Sequence, residues 1–312
     1  MSGAGIDMAL VAEQYLLMRR SMGYKLHQHG QLLLDFVRFL DGTGAAHLTT
    51  EHALAWATLP ADGAPEWWHG RLGVVRAFAR YLLIFDPQTQ VPEASLLPDG
   101  THRSTPYIFA DQELDRLLIA AGDLTPSFRA LTYRSYISLV AVTGMRRSEA
   151  TDLDLTDIDW DEGLLSIREA KFRKWRQLPL HPSTIAALRE YVDERERKFP
   201  GSKQPALFLS TRGTRLLADN ASQVFAHLVR QSGMPVLDRH HQPHLHDLRH
   251  TFAVKTLQRW YRSGVDAGPM LPLLSTYLGH GDPDSTYWYL SATPELMGLV
   301  SDRVRSYLQE ER

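Results

Sequence analysis

Apolar residues recur at helical spacing along most of this chain, and only a few short stretches alternate as strands do. Ile6–Met22 carries Leu10, Tyr15 and Leu16 on such a rhythm, and His27–Leu40 carries Leu32, Leu33, Phe36, Val37 and Leu40 before Asp41-Gly42 interrupts it. Thr50 is placed to cap a short helix through Trp56. Glu66–Phe85 reads as a longer helix through Trp67, Trp68, Leu72, Val75, Phe78 and Tyr81, with both tryptophans expected in a core. Four helices without a strand signal define a first domain, residues 1–86. Pro87, Pro92, Pro98 and Pro106 then break the rhythm, so 87–106 reads as a linker.

The second domain, 107–312, opens with helices over Asp111–Ala121 and Ser127–Thr143, the latter stopped by Gly144. A short helix follows within Met145–Ala150. Leu164–Arg168 and Arg176–Leu180 read as two strands joined by a hairpin, Glu169–Trp175, that carries Lys171, Arg173 and Lys174. Pro182–Phe199 is expected as a helix with solvated charges, Ala206–Ser210 as a strand, and Ser222–Gln231 as a helix. A helix starts near His246 and runs towards Gly264, and another spans Leu271–Tyr277. Asp282-Pro283 starts a short helix bearing Tyr287 and Tyr289, and Thr293-Pro294 starts a last one with Leu296, Leu299, Val300, Val304 and Leu308 on its apolar stripe. The expected fold class is mainly α with a small β-sheet: a helical domain followed by an α+β domain.

Composition narrows the classes. No stretch approaches the roughly 18 uninterrupted apolar residues of a membrane helix, and Met1–Asp7 lacks the basic flank and apolar run of a signal peptide. Without cysteine there is neither a disulfide framework nor thiolate chemistry, which suits a cytoplasmic location. A net charge of −2 argues mildly against a nucleic-acid partner. That average does not forbid a basic groove, and Arg168–Arg176 and the surroundings of Arg146 supply basic residues for one. Trp67, Trp68, Arg71 and Arg76 are a second, weaker set that would face DNA if they were not core.

The chemistry concentrates in His246-Asp247-Leu248-Arg249-His250. Positions three apart share a helix face, so His246 and Arg249 point the same way. Neither buries cheaply; together they suit an anion that must also exchange a proton. Arginine offers a fixed, always-charged fork for phosphate oxygens, and histidine changes protonation near neutral pH. The same motif occurs on ordinary solvated helices. The histidines 240, 241, 244, 246 and 250 also invite a metal-site reading, but no cysteine or carboxylate motif accompanies them.

Five boxes taken in order carry a resemblance. Thr143-Gly-Met-Arg-Arg-Ser-Glu149, the Lys171 hairpin, His246-Asp-Leu-Arg249-His-Thr-Phe, Leu278-Gly-His280 and Tyr289 resemble the tyrosine recombinases, or phage-type integrases, across Pro106–Leu308. The first domain resembles that family's core-binding domain more loosely. The resemblance implies a site of Arg146, Lys171, His246, Arg249, His280 and Tyr289, with Glu149 as a buried orienting acid. Arg147 stands where the family is often apolar and reads as a backbone contact or a surface residue. Ala170 and Phe172 replace the glycines often found beside the hairpin lysine, which leaves Lys174 as a rival to Lys171. Tyr289 lies nine positions beyond His280, the family's register for its nucleophile; Tyr277 and Tyr287 are the alternatives.

The resemblance also implies what such a site does. The tyrosine attacks a DNA phosphate to give a 3′-phosphotyrosyl link and a free 5′ hydroxyl, and two rounds of exchange pass through a Holliday junction in a tetramer. Arg146, Arg249 and His280 would stabilise charge on the phosphate, His246 would assist proton removal from Tyr289, and Lys171 would protonate the departing oxygen. No metal or other cofactor is expected. The implied partner is double-stranded DNA, with no membrane role; accessory proteins or sister recombinases are left open. The final helix would be exchanged between subunits or would cover its own domain. A catalytically idle relative and a type IB topoisomerase are the competing readings.

Overall fold

The structure, a computed structural model, describes residues 6–24, 26–59, 61–98, 106–170, 174–234, 242–280, 284–291 and 294–310. The chain divides into two compact units, Met1–Arg103 and Ser104–Arg312. Among the described residues no helix is long and apolar enough to cross a membrane.

The first unit holds α1 (Met8–Ser21), α2 (His27–Thr43), α3 (Thr50–Ala57) and α4 (Pro65–Leu82). Helix α2 runs through Asp41-Gly42, because the left-handed position that ends it belongs to Gly44 (φ 68°). Thr49, not Thr50, caps α3: its side chain accepts from the backbone N–H of His52 at 3.2 Å. Trp67 is 38% exposed, against the expectation of a core role, and Trp68 is half-buried. The core tryptophan is Trp56, packed edge-on against Phe36 with ring centroids 5.3 Å apart. Arg71, a candidate for an outward basic face, is buried instead. Its guanidinium lies 3.7 Å over the Trp56 ring and donates to the Trp56 carbonyl at 2.7 Å. The start of the proline-rich stretch packs on this unit: Asp86 is buried and meets His47 at 3.0 Å, and Gln90 N–H donates to Leu48 O at 2.8 Å.

The second unit begins with α5 (Asp111–Gly122), α6 (Ser127–Thr143) and α7 (Arg147–Asp152). A three-stranded antiparallel sheet follows in the order β1 (Ile158–Asp159), β2 (Leu164–Ala170), β3 (Lys174–Pro179). Leu165 pairs with Leu178 and Ile167 with Arg176, so the buried faces of Leu165, Ile167 and Leu178 set the register. The two-residue β1 is too short to show an alternating pattern. Ala206–Ser210, expected as a strand, makes only isolated bridges from Ala206 and Leu209, and its Ala206, Leu207, Phe208 and Leu209 are core.

The remaining helices are α8 (Pro182–Lys198), α9 (Ala218–Gln231), α10 (Asp247–Arg262), α11 (Ala267–Leu278), α12 (Asp284–Tyr287) and α13 (Pro294–Glu310), with one 3-10 turn, Trp288–Ser291, directly after α12. The charges of α8 are not all solvated: Arg195 is 1% exposed and donates to Gln204 O at 2.6 Å. Helix α11 starts earlier than expected because Asp266 caps it through Gly268 N–H at 3.0 Å. One core joins α5, α6, α8 and α9 to the sheet, and a second joins α10, α11 and the 3-10 turn to the start of α13. There Leu296 is fully buried, and Glu295 accepts from Gln258 at 3.1 Å and pairs with Arg262. The beginning of the last helix thus covers its own domain.

Candidate active site

Two helix ends and one strand converge on Glu149. Helix α6 stops at Gly144 (φ 61°), where a Cβ would stand 2.6 Å from Phe252 Cδ1; only glycine permits both the turn and the approach. The chain then buries Met145 and presents Arg146 just before α7. Glu149, in the first turn, accepts from the Arg146 backbone N–H at 2.8 Å and from Arg146 Nη1 at 2.7 Å. From β3, Arg176 reaches the same carboxylate with Nη1 at 3.1 Å and Nη2 at 2.6 Å. Burial alone would raise the Glu149 pKa. The hydrogen bonds and charge of Arg176, then those of Arg146, outweigh burial and hold the carboxyl below its usual range.

The third guanidinium comes from α10. Arg249 is 1% exposed and donates from Nη1 to Gly144 O and from Nη2 to Leu278 O, both at 2.8 Å. These carbonyls close α6 and α11, so one side chain ties two helix C-termini together. Burial, then repulsion from Arg146, pushes its pKa down to about 10, which leaves it charged at neutral pH. Helix α11 ends at Gly279 (φ 69°), where a Cβ would fall 2.5 Å from Arg176 Nη1. The Gly279 carbonyl accepts from Arg146 Nη2 at 2.7 Å. The Thr-Gly-Met-Arg and Leu-Gly-His boxes are therefore bonded to each other, and both to the His-x-x-Arg box.

The histidines sit among these cations. His280 meets Thr286 Oγ1 through Nδ1 at 2.6 Å; burial, then Arg249 and Arg146, push its pKa down to about 3. His246 stands at the start of α10. Desolvation, then Arg249 and Arg146, push it down to about 4. Its ring keeps an exposed edge, which moderates the desolvation, and the direction leaves it neutral at pH 7. Tyr289, on the 3-10 turn, is 2% exposed. Its ring lies 6.2 Å from that of His280 at an interplanar angle of 22°. Of the rival tyrosines, Tyr287 is half-exposed and Tyr277 stacks on Phe252 at 5.5 Å.

The structure thus brings Arg146, His246, Arg249, His280 and Tyr289 into one cluster. Lys171 lies outside the described residues, and of its rival Lys174 only the backbone, at the start of β3, is described. Arg147 turns outward and donates to Ser222 Oγ at 2.7 Å. His244 engages Asp247 at 3.1 Å, while His240 and His241 lie outside the described residues. Three partners were given no role in this site from the sequence. Arg176 is an arginine on the inward side of a strand, in step with buried Leu178, a signal that an acid waits beneath it. His250, four residues after His246, meets the Tyr289 hydroxyl through Nδ1 at 3.0 Å. Thr286 is buried beside His280, and no spacing rule announces it. Three guanidiniums, two neutral imidazoles and a phenol in one cluster have the chemistry that transfer at a phosphate ester requires.

Comparison with known proteins agrees. The model of the phage integrase family matches residues 108–295. A Sinorhizobium fredii protein named as an integrase/recombinase, y4rB, is 42% identical over 291 residues, 91% of this chain and 93% of that one. Among solved structures, the Tn1549 transposon integrase in complex with transposon right end DNA aligns over 96% of this chain and 98% of its own, with TM-score 0.67 and 17% identity. A lambda integrase tetramer bound to a Holliday junction aligns over 92% and 78%, with TM-score 0.62 and 18% identity. The chain belongs to the phage integrase family, the tyrosine recombinases whose boxes it carries.

Proposed function

We propose that this chain cuts and rejoins double-stranded DNA at defined sites through a covalent bond to Tyr289. A phenol suits the role: with a pKa of about 10 it is a usable nucleophile and, on reversal, a good leaving group. The Tyr289 oxygen attacks the scissile phosphorus, the bond to the 5′ oxygen breaks, and the bond energy is kept in a 3′-phosphotyrosyl link. Arg146, Arg249 and His280 stabilise charge developing on the non-bridging oxygens; comparable arginine contributions in phosphoryl transfer are about 10³–10⁵ in rate. The two guanidiniums do the work that a metal pair does in two-metal nucleases. Lys171, or Lys174 in its place, gives the departing oxygen its proton, a role typically worth about 10²–10⁴. Arg249 and Tyr289 are both closed to solvent, at 1% and 2% exposure, so DNA entry has to shift the turn that carries Tyr289.

Residues 1–86 act as the core-binding domain, and 107–312 as the catalytic one. The lambda integrase tetramer on a Holliday junction supports a tetramer on paired sites with the same intermediate, acting in the cytoplasm on a mobile element's DNA. The observation that carries the reading is the triple hydrogen-bonded join of the arginine boxes beside Tyr289. The test incubates wild-type protein and Y289F with fragmented source DNA in EDTA, denatures with SDS, and maps the linked residue by mass spectrometry. An EDTA-resistant adduct on Tyr289, absent from Y289F, is expected, and sequencing the trapped DNA identifies the site. An adduct that requires divalent metal, or one that persists in Y289F, refutes the reading.

A further inference from the structure

A residue to which the resemblance assigns no role, His250, touches the nucleophile's reacting atom. His250 Nδ1 lies 3.0 Å from the Tyr289 hydroxyl, the Tyr289 ring stacks on that of His280, and His280 uses its Nδ1 on Thr286. We infer that His250 is a further catalytic residue, the group that receives the Tyr289 proton as the phenol attacks DNA. The inference rests on Tyr289 being the nucleophile.

The geometry favours His250 on three counts. First, it sits within α10, one residue beyond Arg249, whose guanidinium is fixed by two carbonyls, so the imidazole rides on a rigid part of the site. Second, its ring is enclosed by aromatic neighbours: Trp288 at 5.6 Å and 63°, Tyr289 at 5.5 Å and 59°, and His246 at 4.7 Å and 90°. These contacts restrict its rotation and keep Nδ1 directed at the phenol. Third, Arg249, Arg146 and Arg147 all disfavour a proton on His246. A proton taken from Tyr289 is better placed on the ring behind the phenol than on the one inside the guanidinium cluster. His246 is then left to hydrogen-bond the phosphate.

The step balances. With its proton on Nε2, His250 offers the Nδ1 lone pair. The phenol O–H proton moves to Nδ1 as the Tyr289 oxygen–phosphorus bond forms, and the 5′ oxygen leaves with a proton from the hairpin lysine. On rejoining, the 5′ hydroxyl attacks, its proton returns to the lysine, and imidazolium His250 reprotonates the departing phenolate. A single histidine thus serves as base in cutting and acid in sealing.

The test measures single-turnover cleavage by full-length protein on a nicked duplex built on the site recovered from Tyr289 adducts. The variants are H250A, H250N and Y289F, with DNA affinity and circular dichroism as folding controls. H250N is informative because its side-chain oxygen can accept the phenol hydrogen bond where Nδ1 does, yet cannot hold the proton. We expect both His250 variants to bind DNA normally and to cleave about 10²–10⁴ more slowly. A second substrate replaces the 5′ bridging oxygen with sulfur, which leaves without needing a proton. Lysine variants of the hairpin should recover on it, whereas H250A and H250N should not. Cleavage by H250N at the wild-type rate overturns the inference, as does recovery of H250A on the sulfur substrate. So does faster cleavage by H250A, which would make the contact a latch. Cleavage by Y289F would instead overturn the nucleophile assignment beneath it.

Discussion

Glu149 is the residue whose loss should be felt both in the fold and in the chemistry, and Glu149→Gln tests this with almost no change of shape. The carboxylate accepts four hydrogen bonds, from the Arg146 backbone and Nη1 and from both Nη atoms of Arg176. It is the one anion these two guanidiniums share, and it is 8% exposed. A glutamine keeps one acceptor oxygen and turns the other into an NH₂ that faces donors. Removing one partner of a buried ion pair costs about 3–5 kcal/mol, because the charge left behind is uncompensated. For a unit of this size, 1 kcal/mol moves the melting midpoint by about 2–4 °C, so the second unit should melt roughly 6–20 °C lower. The two units need not unfold together, so hydrogen exchange followed by mass spectrometry should assign the loss to peptides of α7 and β3. Cleavage should fall as well, since Arg146 and Arg176 would repel each other and leave their positions. A variant that melts within a degree or two of wild type, with unchanged exchange in α7 and β3, would refute the claim that Glu149 holds the arginines in place.

Gly279→Ala puts a methyl group 2.5 Å from Arg176 Nη1 at a backbone φ of 69°, so either the guanidinium or the end of α11 must move. Strain in that backbone region costs about 1–3 kcal/mol; cleavage should drop more than ten-fold while DNA affinity, read by gel shift, changes little. Acid should weaken the fold through His280. Its pKa is held at about 3 in the folded chain against roughly 6.5 when unfolded, so the unfolded chain binds the extra proton between those values. Stability from this group is full above pH 6.5 and is lost as the pH falls towards 3, at up to about 1.4 kcal/mol per pH unit. Melting scans from pH 7 to pH 5 should show the decline, and H280Q should flatten it; an equal slope in H280Q would refute this account.

The site was legible where its residues lie in continuous boxes, and less so where it is assembled by packing. The spacing from His280 to Tyr289 and the stop of α6 at Gly144 are local facts, and the fold places both residues accordingly. Arg176 belongs to the site through its side chain's inward direction, which depends on pairing with Ile167 across the hairpin. Its tie to Glu149 spans 27 positions that no periodicity connects. The tryptophans of α4 misled because aromatic density is only a prior for burial: Pro65 starts the helix at their level, and the core position is filled by Trp56 from α3. Ala206–Ser210 was apolar enough for a strand, yet it is buried as an extended segment bridged only at single residues. Burial explains its composition without a sheet.

The three guanidiniums and one carboxylate also amount to a charge count. With His246 and His280 held neutral at pH 7, Arg146, Arg176, Arg249 and Glu149 leave two positive charges in excess. A phosphodiester in intact DNA brings one negative charge. While the tyrosine oxygen is joined to the phosphorus and the 5′ oxygen has not yet left, the phosphoryl group carries two. Counted without the hairpin lysine and the proton that His250 takes, these four groups are balanced by the reacting geometry and left with one positive charge in excess by uncut DNA. Pairing its arginines through a shared acid, rather than leaving all three unopposed, gives up some grip on the substrate in exchange for preference for the moment of exchange.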